Sequence, residues 1–132
     1  MQVRKFLKNY KGIDSRLSVN NRLIFRLKED AMMFLGDSAD HKEIREMCIA
    51  EAKKIKAESD QLIHDRDELI SAIQKLLPLH HQIMDMYVIK GMKTSECCDI
   101  LGCTLNQFYS MKEAAVQELE RMLDEDETHS NI

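Results

Sequence analysis

Cys97, Cys98 and Cys103, with His80 and His81 upstream, are the residues whose types most readily suggest chemistry. Thiolates and imidazoles hold zinc when each pair of ligands is spaced to close on the metal from one turn or one helix. Neither Cys97-Cys98 nor His80-His81 has C-x-x-C or H-x₃-H spacing, so the pattern predicts no metal site. His80 and His81 read instead as helix-surface residues beside Pro78. Cys103 sits at a turn, where a redox-sensitive thiol is conceivable. The chain has no phosphate-cradling glycine loop, nucleophile elbow or paired-carboxylate constellation. No catalytic residue, no cofactor and no enzymatic activity are expected.

The cysteines have a different place in TSECCDILGCTLNQFYSMKE, residues 94–113. A helix-turn-helix needs a small residue deep in its first helix, where the second crosses closely, and Cys98 fits that requirement. Gly102 follows where the turn needs φ > 0. Phe108 follows as the apolar plug between the helices, with Cys97, Leu101 and Met111 at the other inward positions. Thr104 and Gln107 have capping-box spacing, so the second helix should begin there. Small residue, glycine, plug and cap in this register point to a DNA-reading helix pair. An ordinary helical hairpin that turns on a glycine satisfies the same residues.

The elements that must position this stretch are helices. One proline and four glycines in 132 residues, with 5% aromatic content, predict an all-α chain of one domain or a small module plus an extension. No apolar run reaches the roughly 20 residues needed to cross a bilayer. The segment MQVRKFLKNYKG lacks the apolar core of an export signal, and the four cysteines lack framework spacing. The expected location is the reducing cytoplasm of a bacterial host. Net charge is −4, unevenly spread: residues 1–28 hold eight cations against the single acid Asp14. Two readings of that asymmetry are open, a basic arm or a solvated helix face that pairs with the acidic middle helix.

From Val3 to about Leu35, apolar residues at steps of three and four describe one face of a long helix, weakened at Gly12 and Asn20-Asn21. Gly36 to Asp40 turns the chain, and Asp40 with Glu43 reads as a capping box. In the second helix, to Leu77, Cys48, Ile55, Leu62, Leu69 and Leu76 recur every seven residues. That repeat predicts a coiled coil, whose partner is either the first helix folded back or the same helix in a second copy. Ser59 and Arg66 beside it could set register. Pro78 is placed to start a short helix that closes at Gly91, and the last helix should run from Leu105 to about Leu123. The expected domains are a coiled-coil region over 1–77, a helix-turn-helix module over 78–123, and a fraying acidic tail over 124–132.

IMDMYVIKGMKTSECCDILGCTLNQFYSMKEAAVQEL resembles region 4 of the primary-sigma family, which grips an upstream promoter element. The whole chain is similar to small phage late-gene transcriptional regulators of the ArpU and RinA kind. Their K-x-L-K…I-D-x-R-I pattern is matched by Lys5, Leu7, Lys8, Ile13, Asp14, Arg16 and Leu17. The resemblance implies a long helical hairpin or coiled coil followed by a sigma region 4-like helix-turn-helix bundle. It implies a sequence-specific regulator of phage or prophage late genes, expected as an activator, that binds double-stranded DNA and is not an enzyme. By position it implies DNA contacts from Lys93, Thr104, Leu105, Asn106, Gln107, Tyr109, Ser110 and Lys112. Asn and Gln can each make a bidentate contact to adenine, while Ser, Tyr and Lys suit bases or phosphates.

The chain departs from that pattern in charge. Residues 78–123 hold Lys90, Lys93, Lys112 and Arg121 against six acids, and Cys97-Cys98 stands where the family has isoleucine-alanine. Phosphate neutralisation supplies much of DNA affinity, so a lone module should bind weakly. A homodimer through the coiled coil, the basic N-terminal helix or a docked RNA polymerase could compensate. Two other readings remain: a helical adaptor that docks on a host protein such as RNA polymerase without binding DNA, and a small terminase subunit, which would form rings.

Overall fold

A computed structural model describes residues 1–130, with side chains through Asp124; Asn131 and Ile132, and the side chains of the expected acidic tail, lie outside the described residues. The chain is all-α. Helix α1 (Val3–Asn9) passes through a 3₁₀ turn (Tyr10–Gly12) into α2 (Ile13–Met33). Then follow α3 (Ala39–Gln74), α4 (Pro78–Met84), a π turn (Asp85–Ile89), α5 (Thr94–Leu101) and α6 (Leu105–Ser130). Among the described residues, no helix is long and apolar enough to cross a membrane.

Two compact units are formed, one from residues 12–64 and one from residues 1–11 with 65–132. The first is a helical hairpin of α2 and the first part of α3, joined by contacts at three levels along its length. Asn20 Nδ2 donates to Ser59 Oγ at 2.9 Å, both residues buried, and Arg16 pairs with Glu58. Near the turn, Arg45 Nη1 donates to the Phe34 carbonyl at 2.9 Å, and the Phe34 and His41 rings meet edge-on. The helix runs unbroken through Asn20-Asn21 because the Asn20 amide finds that buried partner. The cap of α3 is two residues earlier than Asp40: Ser38 Oγ accepts from the His41 N–H at 3.2 Å, a hydroxyl placed where an orphan donor needs it.

The second unit has the principal core. Leu69, Ala72 and Ile73, on the last turns of α3, and Leu76 just beyond it pack with Ile83, Met84, Cys97, Phe108, Ala115 and Leu119. The seven-residue stripe therefore serves two purposes: Cys48, Ile55 and Leu62 are half-buried in the hairpin, while Leu69 and Leu76 are core residues of the other unit. Residues 65–77 thus belong with the C-terminal helices. So does α1, through Val3, with Phe6, Leu7 and Tyr10 packed against the same core. The expected single helix over 3–35 is divided by the 3₁₀ turn, which preserves its apolar stripe while assigning the two parts to different units. Pro78 opens α4 as its first residue, where a missing N–H costs nothing. Helix α6 continues past Leu123 to Ser130.

Candidate nucleic-acid interface

The α5–α6 turn is built as its residues require. Gly102 ends α5 in the left-handed region (φ 66°, ψ 36°), and the Cys103 N–H donates back to the Cys98 carbonyl at 3.1 Å. Thr104 and Gln107 then close a reciprocal cap. The Thr104 N–H donates to Gln107 Oε1 at 2.9 Å, and the Gln107 N–H donates to Thr104 Oγ1 at 3.2 Å. Phe108 is fully buried between the helices, its ring edge-on to Tyr87 at 5.7 Å and to Tyr109 at 6.0 Å between centroids.

Cys97, rather than Cys98, is the fully buried thiol of α5; Cys98 is half-buried against the same core. One residue is about 100° of helical rotation, so α5 turns Cys97 inward and leaves Cys98 on the flank. Burial pushes both thiols up from their ordinary range, which holds them protonated. His80 lies against Glu118, whose other oxygen accepts the Leu77 N–H at 3.1 Å.

The residues expected to face DNA divide into three groups. Leu105, Asn106, Tyr109 and Ser110 are exposed on the first turns of α6, with Asn106 and Ser110 one turn apart on a shared face. Lys93 is exposed at the start of α5. Thr104 and Gln107 are also exposed, but each side chain is already used by the cap. A bidentate contact to adenine needs both the oxygen and the nitrogen of an amide. Gln107 has committed its oxygen, which leaves Asn106 as the amide free for that contact. Lys112 is half-buried, its ammonium 4.7 Å from the Tyr87 ring centroid and 5.4 Å from that of Tyr109. Attraction to two ring faces draws this cation to the side of α6 that faces Tyr87.

One contributor is absent from the sequence expectation. Helix α1 packs along α6, and Arg4 forks onto Glu113 through Nη1 (3.1 Å) and Nη2 (2.6 Å), while its Nε reaches Glu120 at 3.1 Å. Those hydrogen bonds hold the Glu113 carboxyl below the usual carboxylate range. Arg4 therefore offsets two of the acids that made α6 look unsuited to a polyanion. The signal was the absence of any acid among the first eleven residues; their pairing with α6 is long-range and left no local trace.

No curated protein and no solved structure matches the chain. The family model described as "Protein of unknown function (DUF1492)" matches residues 22–120, three quarters of the length, and the chain belongs to that family.

Proposed function

We propose that this protein is a sequence-specific DNA-binding regulator of transcription, acting on phage or prophage late genes as an activator, with α5 and α6 forming a helix-turn-helix. In this reading, the first turns of α6 enter a major groove. Asn106 and Ser110 contact base edges, Leu105 and Tyr109 flank them, and Lys93 approaches a phosphate. The observation that carries the reading is the reciprocal Thr104–Gln107 cap after a left-handed Gly102, which fixes the start of α6 while leaving its outer face free. The occurrence of the family in phage proteins supports the setting. Two copies would pair through the hairpin, presenting two reading helices to two half-sites, and the protein has no enzymatic role.

The test is a binding selection from randomised duplexes, for the wild type and for Asn106→Ala with Ser110→Ala. The double variant should lose about 1–3 kcal/mol of discrimination at the positions that Asn106 reads, with helicity intact. An unchanged preference profile would overturn the reading. The acid excess over residues 78–123 favours a second reading, a helical adaptor docked on RNA polymerase. That reading predicts no duplex affinity even at low salt, and direct binding to purified polymerase instead.

A further inference from the structure

Within the C-terminal unit, α1 and its 3₁₀ turn, the end of α4 with the π turn, and α6 enclose a cleft of about 470 Å³. Four cations line it, Arg4, Lys8, Lys11 and Lys112, against the single carboxylate of Glu113. Arg4 already holds that carboxylate, so the acid's repulsion of an incoming anion is largely cancelled. Lys8 and Lys11 are exposed, and neither has an ion-pair partner among the described residues. Lys112 enters from the α6 side, and Glu113, three residues beyond Ser110 on the same face of the helix, also lines the cleft, so the cleft lies next to the first turns of α6. Tyr10, Tyr87 and Val116 give the remaining wall an apolar and aromatic character.

We propose that this cleft seats a sugar-phosphate segment of the DNA backbone, its phosphate oxygens toward Lys8, Lys11 and Lys112 and its deoxyribose against the aromatic wall. The assignment rests on the DNA-binding reading and adds a phosphate site outside the α5–α6 pair. Charge and shape both favour a phosphodiester. Several convergent cations suit a group whose two free oxygens share one charge, and an apolar wall beside them suits the sugar rather than bulk water. The site also accounts for a reading module that is itself acidic: the neutralising charge comes from residues 4–11, carried alongside α6 by α1.

The experiment measures duplex affinity across a salt series for the wild type, Lys8→Gln with Lys11→Gln, and Asn106→Ala. Both lysines are exposed, so the variants should fold, and far-UV circular dichroism checks this. The lysine double variant should bind about tenfold more weakly near 0.1 M salt, with a log–log salt slope shallower by about 2 and an unchanged ranking of sequences. Lys8→Arg with Lys11→Arg should restore slope and affinity. Asn106→Ala should show the converse, a lost ranking on an unchanged slope. A lysine double variant with wild-type affinity and slope, beside an Asn106→Ala that still loses its ranking, overturns the cleft and leaves the DNA reading standing. Absence of duplex binding by the wild type overturns both. Adenosine monophosphate titrated without DNA distinguishes the source of the phosphate. Saturable binding that is lost in the lysine variant, with duplex affinity unaffected, would make this a free-nucleotide site and overturn the backbone assignment.

Discussion

Glu118 joins two distant segments of the C-terminal unit with one carboxylate, taking the Leu77 N–H at the start of α4 on one oxygen and His80 on the other. Desolvation alone would raise its pKa. The His80 and Leu77 hydrogen bonds, with Arg121 nearby, outweigh that and hold it below its ordinary value of 4.5. A carboxyl depressed on folding contributes stability that is present above its unfolded pKa and lost as pH falls through its folded one. Stability of the wild type should therefore decline below about pH 4.5 by an increment that Glu118→Gln does not show. At neutral pH the substitution should cost about 1 kcal/mol, read as a lower urea midpoint. Such a residue is invisible in the sequence because its partners lie 41 and 38 positions away. Gly102 and the Thr104–Gln107 box were legible because each is satisfied within one turn of chain, and Phe108 because its spacing from them is fixed. Gln107 also shows where that legibility stopped: the sequence offered it as both a cap and a base-reading amide, and the cap holds its oxygen.

At the scale of elements, the hairpin depends on a polar contact at its centre. Asn20 and Ser59 are both buried and bonded to each other, in a face otherwise made of residues such as Ile13, Ala31 and Ala52. Removing one partner strands the other. Asn20→Ala or Ser59→Ala should each cost about 1–3 kcal/mol, whereas Asn20→Ala with Ser59→Ala should cost well under the sum of the two. Chemical denaturation of the four proteins measures the coupling, and additive losses would show that the bond contributes nothing specific. The same bond is suited to fixing register, since sliding α2 against α3 by one turn would bury both groups unpaired. The heptad was readable from periodicity, but not whether its partner was the first helix or a second copy, because the repeat is the same in both cases. The break at residues 10–12 was readable only as a weak point, because the apolar stripe continues through it and the choice of unit for α1 depends on contacts with α6. The cap at Ser38 was missed in favour of an acid two positions later that matched the same pattern.

At the scale of the molecule, apolar exposure is concentrated in the hairpin. Val19, Leu23, Phe25, Met32, Met33 and Met47 are all exposed there, Met33 at 77% and Phe25 at 65%. A stable homodimer buries about 800 Å² on each partner, and a second hairpin is a natural cover for such surface. Sedimentation at micromolar concentration should give twice the 15.4 kDa of one chain, with a melting temperature that rises with concentration. Val19→Glu with Leu23→Glu should yield the single-chain mass, and that mass for the wild type at all concentrations would overturn the dimer. Larger closed assemblies would favour the ring-forming terminase reading. The clasp of Arg4 on Glu113 and Glu120 bears on the order of synthesis as well as on charge. Its two sides are separated by 109 and 116 residues, among the longest closures the chain makes. During translation, residues 12–64 can form their hairpin from contacts already made, but α1 must wait with its apolar face open until α6 follows. A helix made well before α6 is thus among the last to dock, and a chaperone that binds nascent apolar helices would find its target in residues 1–11.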